Sequence, residues 1–308
     1  MIKRLLASAA FLGLALTGPA QAWAPVAAPA VAAKLPDADP ALWVIKDADT
    51  TLYLFGTFHA LDGKSDWFND EVKTAFDASG EVYVEALMPD DPAALQPLII
   101  KYGVDQSGRK LSSKLSPEMK GKLDKTLTEF GVPAQGIAGM EPLEPWMVNM
   151  TLAAMAAGKL GLDPNSGADK KIMASAKSAG KKLGELENAE FQLSLFDKVP
   201  EADQVRQLGY TLDQLPKMGP ALTTMLTAWS EGDSEGLAKL MNEGVAEMPD
   251  MYKLVFTDRN ATWAEWIDKR MDQPGTVFIA VGAGHLAGQD SVQTMLAKKG
   301  LKAERVKG

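Results

Sequence analysis

The sequence predicts an α/β, or α+β, fold: a central mixed β-sheet built from N- and C-terminal strands, with a large helical region between them. Three patterns carry this expectation. Short apolar, β-prone runs gather near both ends of the folded part, at 41–57, 81–86 and 276–281. From about 91 to 256, apolar residues recur mostly at helical spacing. The run 276–281 (Thr-Val-Phe-Ile-Ala-Val) does not alternate with polar residues, the pattern of a strand covered on both faces.

The elements follow in order. A hairpin opens the fold: a strand over 41–46, turn chemistry at Asp47, Asp49 and Thr50, and a return strand over 51–57. Asp66 is an N-cap residue type, so a helix is expected to about 78, stopped by Gly80. A strand follows over 81–86. Ser116 caps a helix to about 130, with Gly131 just beyond. Helical spacing continues over 146–160, 169–179, 189–198 and within 201–214, 217–230 and 234–247, interrupted by a short strand at 182–187. A helix over 260–271, the strand 276–281, a helix over 290–299 ended by Gly300 and a last strand over 301–306 close the chain. Residues 41–308 are expected to form one domain, with 91–256 as a mostly helical insertion or cap.

The first forty residues read differently. Lys3 and Arg4 precede an uncharged apolar run over 5–16, and Ala20-Gln21-Ala22 is a small-x-small cleavage pattern. Residues 1–22 are therefore expected to be a signal peptide; the run is shorter than the roughly 20 residues a spanning helix needs. Residues 23–40 are Ala- and Pro-rich and read as a linker. A periplasmic or secreted protein without a membrane span after cleavage is expected. The net charge of −8 becomes more negative once Lys3 and Arg4 are removed, which argues against nucleic acid and anionic membrane as partners. With no cysteine there are no disulfides, thiolate ligands or cysteine nucleophile, and 46% hydrophobic residues suffice for a packed core.

The chain has two histidines, and both stand in the same local frame. Tyr53-Leu54-Phe55-Gly56-Thr57-Phe58-His59 and Ile279-Ala280-Val281-Gly282-Ala283-Gly284-His285 each run an apolar strand into Gly-x-x-His. Gly56 and Gly282 let the backbone leave the sheet and so belong to the expected ion-binding loops. Each turn sets an imidazole beyond the carboxyl end of its strand, where open α/β sheets bind ligands. If the two strands are neighbours the rings converge, and Glu85, at the end of a third strand, joins them. His59, Glu85 and His285 then form a ligand set for a divalent metal ion, manganese, cobalt or zinc, which acidifies water and polarises a carbonyl. The absence of Cys and of a Gly-x-Ser-x-Gly elbow favours metal-activated water over a covalent nucleophile. Each residue also has a structural reading: a satisfied histidine at a strand end, and a solvated Glu85.

These residues bring a resemblance into view. The paired Gly-x-x-His motifs, the hairpin with Leu42-Trp43 and Leu52 to His59, and Val84-Glu85 resemble the TraB/PrgY/GumN family, related to Tiki proteases and to the erythromycin-esterase and ChaN-like superfamily. Gly167-Ala168-Asp169, the segment from Glu185 to Leu193, Arg259-Asn260 with Trp263, and Val281 to Gly288 are similar to the family's later motifs, in order. One departure is Asn188, where relatives tend to carry Thr. The resemblance implies a metal-dependent, peptidase-like hydrolase with His59, Glu85 and His285 at its site and a peptide or protein as substrate. It also implies Arg259 as a stabiliser of negative charge and Asp169 and Glu187 as supporting acids. On the residues alone, Arg259 also reads as an exposed first-turn residue and Glu187 as a cap for the helix at Ala189. Trp263 and Trp266 read as core, and Met140, Met147, Met150 and Met155 as adaptable packing around a groove. Two other functions fit the same motif: a non-catalytic metal- or haem-binding protein, and an accessory factor in polysaccharide assembly or export.

Overall fold

The computed structural model describes residues 35–89, 91–245 and 249–307. The expected signal peptide, 1–22, lies outside the described residues, as does most of the expected linker. Residues 35–40 lie along the fold: Ala38 is buried, and backbone hydrogen bonds tie Ala38 to Asp66 and Asp39 to Ser230.

Six strands form one mixed sheet: β1 (Leu42–Lys46), β2 (Thr50–Thr57), β3 (Glu81–Val84), β4 (Lys182–Glu185), β5 (Gly275–Gly282) and β6 (Glu304–Arg305), in the order β4-β3-β5-β2-β1-β6. The hairpin β1–β2 is antiparallel, as its Asp47 turn requires; Asp47 Oδ1 accepts from the amides of Asp49 and Thr50. β2, β5, β3 and β4 run parallel. Thr50 pairs with Gly275 and Thr57 with Gly282, so the two histidine-bearing strands finish level with each other.

β5 is apolar throughout because both of its faces are covered. Val277, Ile279 and Val281 point into one core with Leu52, Leu54, Trp263, Ile267 and Leu296. Phe278 and Ala280 point into the other with Phe55, Phe76, Val82, Val84 and Ile172. The first face is covered by α13 (Asp258–Met271) and α14 (Val292–Ala297). The second is covered by α1 (Asp70–Ala78), α6 (Pro145–Lys159), α7 (Ala168–Ser178), α8 (Ala189–Asp197) and α10 (Met218–Ser230). A third core joins α3 (Leu111–Lys114), α4 (Pro117–Glu129), α6 and α9 (Glu201–Gln214) away from the sheet. The remaining helices are α2 (Gln96–Gly103), α5 (Ala134–Gly139), α11 (Ser234–Val245) and α12 (Pro249–Tyr252). Among the described residues no helix is long and apolar enough to cross a membrane.

The α/β expectation and most helix limits match, with Ser116 capping α4 through Met119 N. Asp66 does not cap α1. Its backbone is engaged with Pro36 and Ala38, and the helix starts at Asp70 after Asn69. The strand expected over 301–306 shortens to two residues. Short helices α2, α3, α5 and α12 lie where Pro and Gly obscured the spacing.

Candidate functional site

Parallel strands deliver their following residues to one edge of the sheet, and four of them do so here. β2 leads to His59, β3 to Glu85, β4 to Glu187 and β5 to His285. His285 sits in a single 3₁₀ turn, Ala283–Leu286, directly after β5. Its Nε2 is 3.8 Å from Glu85 Oε1. Glu85 Oε1 also accepts from the Gly282 amide at 2.6 Å, which locks the carboxylate to the end of the neighbouring strand.

Arg259 ties these ends together from the opposite side. It is the second residue of α13 and is buried rather than exposed, because a π-helical turn, Lys253–Thr257, runs directly into that helix. Nε and Nη2 donate to Glu187 at 2.8–3.0 Å, Nη2 donates to Glu85 Oε2 at 2.8 Å, and Nη1 donates to Val255 O at 3.1 Å. Nη1 also lies 3.1 Å from His285 Nε2. The guanidinium stacks over Trp263, whose Nε1 donates to Glu187 Oε1. Glu187 is thus an ion-pair partner of Arg259, and Asn188 caps α8 instead, its Oδ1 accepting from Phe191 N at 2.8 Å.

The two histidines occupy opposite electrostatic settings. Burial disfavours charge on both. At His59 it is outweighed by Asp169, 3.3 Å from Nδ1, and by Glu85, which together raise the pKa to about 9. At His285 burial and the nearby Arg259 act in the same direction and lower it to about 3. His285 is therefore neutral and His59 cationic near pH 7. Burial would raise the Glu85 pKa, but Arg259 and the two histidines hold it far below the usual carboxylate range.

These groups form the floor of a pocket whose wall is apolar, with Met88, Met150, Met173, Leu195 and Val255. Three buried polar atoms at the floor have no hydrogen-bond partner: Thr57 Oγ1, His59 Nδ1 and Asp169 Oδ1. The last two face each other at 3.3 Å as an ion pair without hydrogen-bond alignment. An unsatisfied buried atom costs about 1–3 kcal/mol, which applies to Thr57 Oγ1, while His59 Nδ1 and Asp169 Oδ1 offset each other's burial as a pair. Gly282 leaves a cradle among them. A Cβ there would stand 3.1 Å from Glu85 Oε1, 3.5 Å from His59 Nε2 and 3.6 Å from His285 Cδ2.

By donor type an ionised carboxylate and two imidazoles suit a divalent ion, provided that His59 loses its proton and Arg259 yields His285 Nε2. The spacing is looser than in a closed triad. Among the described residues the carboxylate sets that gather within 4.8 Å are Asp37–Asp39–Asp70 and Asp105–Glu144–Glu201. The His59–Glu85–His285 set is wider, with Arg259 seated against two of its members.

His59, Glu85, His285, Arg259, Asp169 and Glu187 all meet at this edge. Gly282 borders the pocket floor, whereas Gly56 packs on Ala283 and accepts from Trp229 Nε1 through its carbonyl. Trp263 is core, as expected, and also packs on His285 in a tilted arrangement with ring centroids 4.4 Å apart, while Trp266 packs on Tyr83. Of the methionines, Met150 lines the pocket, Met147 is in the sheet-side core, and Met140 and Met155 pack into the third core. Sequence reasoning did not single out Thr57, Gln192 or Asn260 as functional. Gln192 Nε2 donates to Glu85 Oε2 and Glu187 Oε2, and Asn260 meets His285. The available signal was their place inside the family-like segments 52–59, 185–193 and 259–260.

The chain's similarity to known proteins is one of sequence. The family model described as "TraB/PrgY/gumN family" matches residues 41–305. A protein of Escherichia coli (strain K12) described as "Uncharacterized protein YbaP" is 27% identical over 186 residues, 60% of this chain and 67% of its own length. The protein of the same description from Shigella flexneri gives the same figures. An "Uncharacterized protein" of Treponema pallidum (strain Nichols) is 22% identical over 275 residues, 84% of this chain and 80% of its own. No solved structure matches the chain.

Proposed function

The chain belongs to the TraB/PrgY/gumN family, and from that membership and the geometry of its site we propose that it is an exported, metal-dependent hydrolase acting on a peptide or protein substrate. One observation carries the proposal. His59, Glu85 and His285 converge around Gly282 at the floor of one pocket, with Arg259 and Asp169 against them.

A manganese, cobalt or zinc ion would be held by His59, Glu85 and His285, and would supply an acidified water and a polarised carbonyl. The chain's own groups do the rest. His285 is neutral and directs Nε2 inward. His59 would have to release its Nε2 proton to solvent to ligate, while Asp169 Oδ1, 3.3 Å from Nδ1, orients the ring. Arg259 has donors committed to Glu85, Glu187 and Val255 O, so it holds the two acids in position. The methionine-lined wall excludes water and accepts apolar side chains of the substrate.

The contact of Arg259 Nη1 with His285 Nε2 favours a second reading, a metal-free hydrolase in which Arg259 is the fixed cation and His59 the acid. The test is digestion of a peptide library by chelator-stripped protein, with and without added Mn²⁺, Co²⁺ or Zn²⁺. Cleavage that needs metal and disappears in His59→Ala and His285→Ala bears the proposal out. Equal cleavage without metal leaves the second reading. Metal or haem uptake without cleavage points to a binding protein, and neither uptake nor cleavage points to an accessory role in polysaccharide assembly or export. Export is tested separately by sequencing the mature N-terminus, with cleavage after Ala22 expected.

A further inference from the structure

His285 is held at both of its nitrogens, and the two contacts specify one proton position. Asn260 is fully buried, and its Oδ1 lies 2.6 Å from His285 Nδ1. Its Nδ2 donates to Asp290 O at 2.7 Å and faces His285 O at 3.4 Å. Carbonyl oxygens only accept, so the amide nitrogen belongs on their side and the amide oxygen must face the ring. An amide oxygen also only accepts, so Nδ1 carries the proton. At the other end, Arg259 Nη1 stands 3.1 Å from Nε2, and a guanidinium only donates. Nε2 therefore presents a lone pair. Trp263 and Phe256 pack on the ring, with centroids 4.4 and 4.9 Å away, and set its plane.

We infer that Asn260 is a positioning residue: it fixes His285 as the neutral Nδ1–H tautomer and so presents Nε2 to the pocket as an acceptor. The anchor lies outside the strand ends. Asp290 belongs to the loop before Ser291, the cap of α14, so the ring is braced by α13 and by that loop together. The orientation is useful in either proposed chemistry, since an ion and an acidic proton both need a lone pair at Nε2. Partners of this kind typically alter metal affinity or activity by about 10–100-fold when removed.

The functional consequence rests on the hydrolase reading; the tautomer does not. With two histidines in the chain, ¹⁵N–¹H correlation of the imidazoles reports each ring, and His59→Gln assigns them. In the full chain at pH 7.5, His285 is expected to show a protonated Nδ1 and a bare Nε2. Asn260→Asp keeps an acceptor at Nδ1 and should keep that pattern. Asn260→Leu, of similar volume, should lose it and weaken Zn²⁺ binding about 10–100-fold. A wild-type spectrum with the proton on Nε2, or a doubly protonated ring, overturns the inference whatever the activity. So does an Asn260→Leu protein that retains a pure Nδ1–H pattern. Should that variant fail to fold, the wild-type and Asn260→Asp spectra still decide. The Nδ1–H pattern in a protein that neither binds metal nor cleaves peptide would leave Asn260 as assigned and remove the hydrolase reading.

Discussion

Among the buried cations of the described residues, Arg259 and Lys114 do different things. Arg259 sits at the carboxyl edge of the sheet among Glu85, Glu187 and His285. Lys114 sits in the helical region between α3, α6 and α9, with Nζ 2.6 Å from both Asp105 and Glu144 and 3.3 Å from Glu201. Both are almost wholly shielded from water, at 7% and 1% side-chain exposure, and both neutralise converging carboxylates. Lys114 bridges three carboxylates, and Asp105 Oδ2 there is matched only by ion pairing, as His59 Nδ1 and Asp169 Oδ1 are by theirs. Around Arg259 two histidines are added, a pocket opens, and Thr57 Oγ1 has no hydrogen bond among the described residues. Neither buried charge nor an unbonded polar atom separates the two clusters in this protein; the pocket beside Arg259 does.

Removing each cation is the strongest way to break that comparison. Arg259→Met strands Glu85 and Glu187 in a buried setting. Breaking a buried pair in this way costs about 4 kcal/mol, read by urea unfolding, and hydrolysis should vanish with it. Lys114→Met should cost about 3 kcal/mol for the same reason, while kcat/KM per folded molecule stays at the wild-type value. An active Arg259→Met, or a folded but inactive Lys114→Met, would erase the distinction.

Gly282→Ala sharpens it from the other side. The added methyl fills the cradle 3.1 Å from Glu85 Oε1 without backbone strain, so thermal unfolding should move by only a few degrees. Hydrolysis and metal binding should fall at least tenfold, about 1.4 kcal/mol in transition-state terms. Unchanged activity in this variant would show that the point beside Gly282 takes no part.

The smallest expected effect lies in pH. Hydrogen bonds from Lys114 and Ser107 hold Asp105 below its ordinary value of 3.8. Its contribution to stability is then complete above that value and lost as pH falls below it toward the native pKa. Asp105→Asn should be less stable at neutral pH but show a shallower loss below about pH 4, measured by urea midpoints across pH. An unaltered acid slope would mean that the helical ion cluster does not control acid unfolding.

The site was partly legible beforehand because some of its signals are local. Two Gly-x-x-His turns after apolar strands mark where each imidazole leaves the sheet, and Glu85 follows a strand of its own. Arg259 was harder. A cation in the first turn of a helix ordinarily looks solvated, and what buries this one is the π-helical turn before α13 and the edge strand β4, which carries Glu187. The last residues of the expected linker misled for a similar reason: 35–40 have no periodicity, yet Ala38 packs into the core and the backbone pairs with Asp66 and Ser230. Asn260 stood in the Arg259-Asn260 motif, but its role was not legible there, since an Asn inside a helix acquires meaning from what it touches across the fold.

By itself the sequence determined the α/β class and the helical middle, because period, capping and turn chemistry are written in neighbouring residues. It also determined that both histidines stand just past strands. The tertiary structure alone decided that those strands are adjacent and parallel, that Glu187 pairs with Arg259, and that one imidazole is charged and the other neutral. The physical reason is range. Backbone conformation answers to residues a few positions away, whereas ion pairs, desolvation and proton placement depend on groups that are distant in the chain and meet only when the sheet assembles.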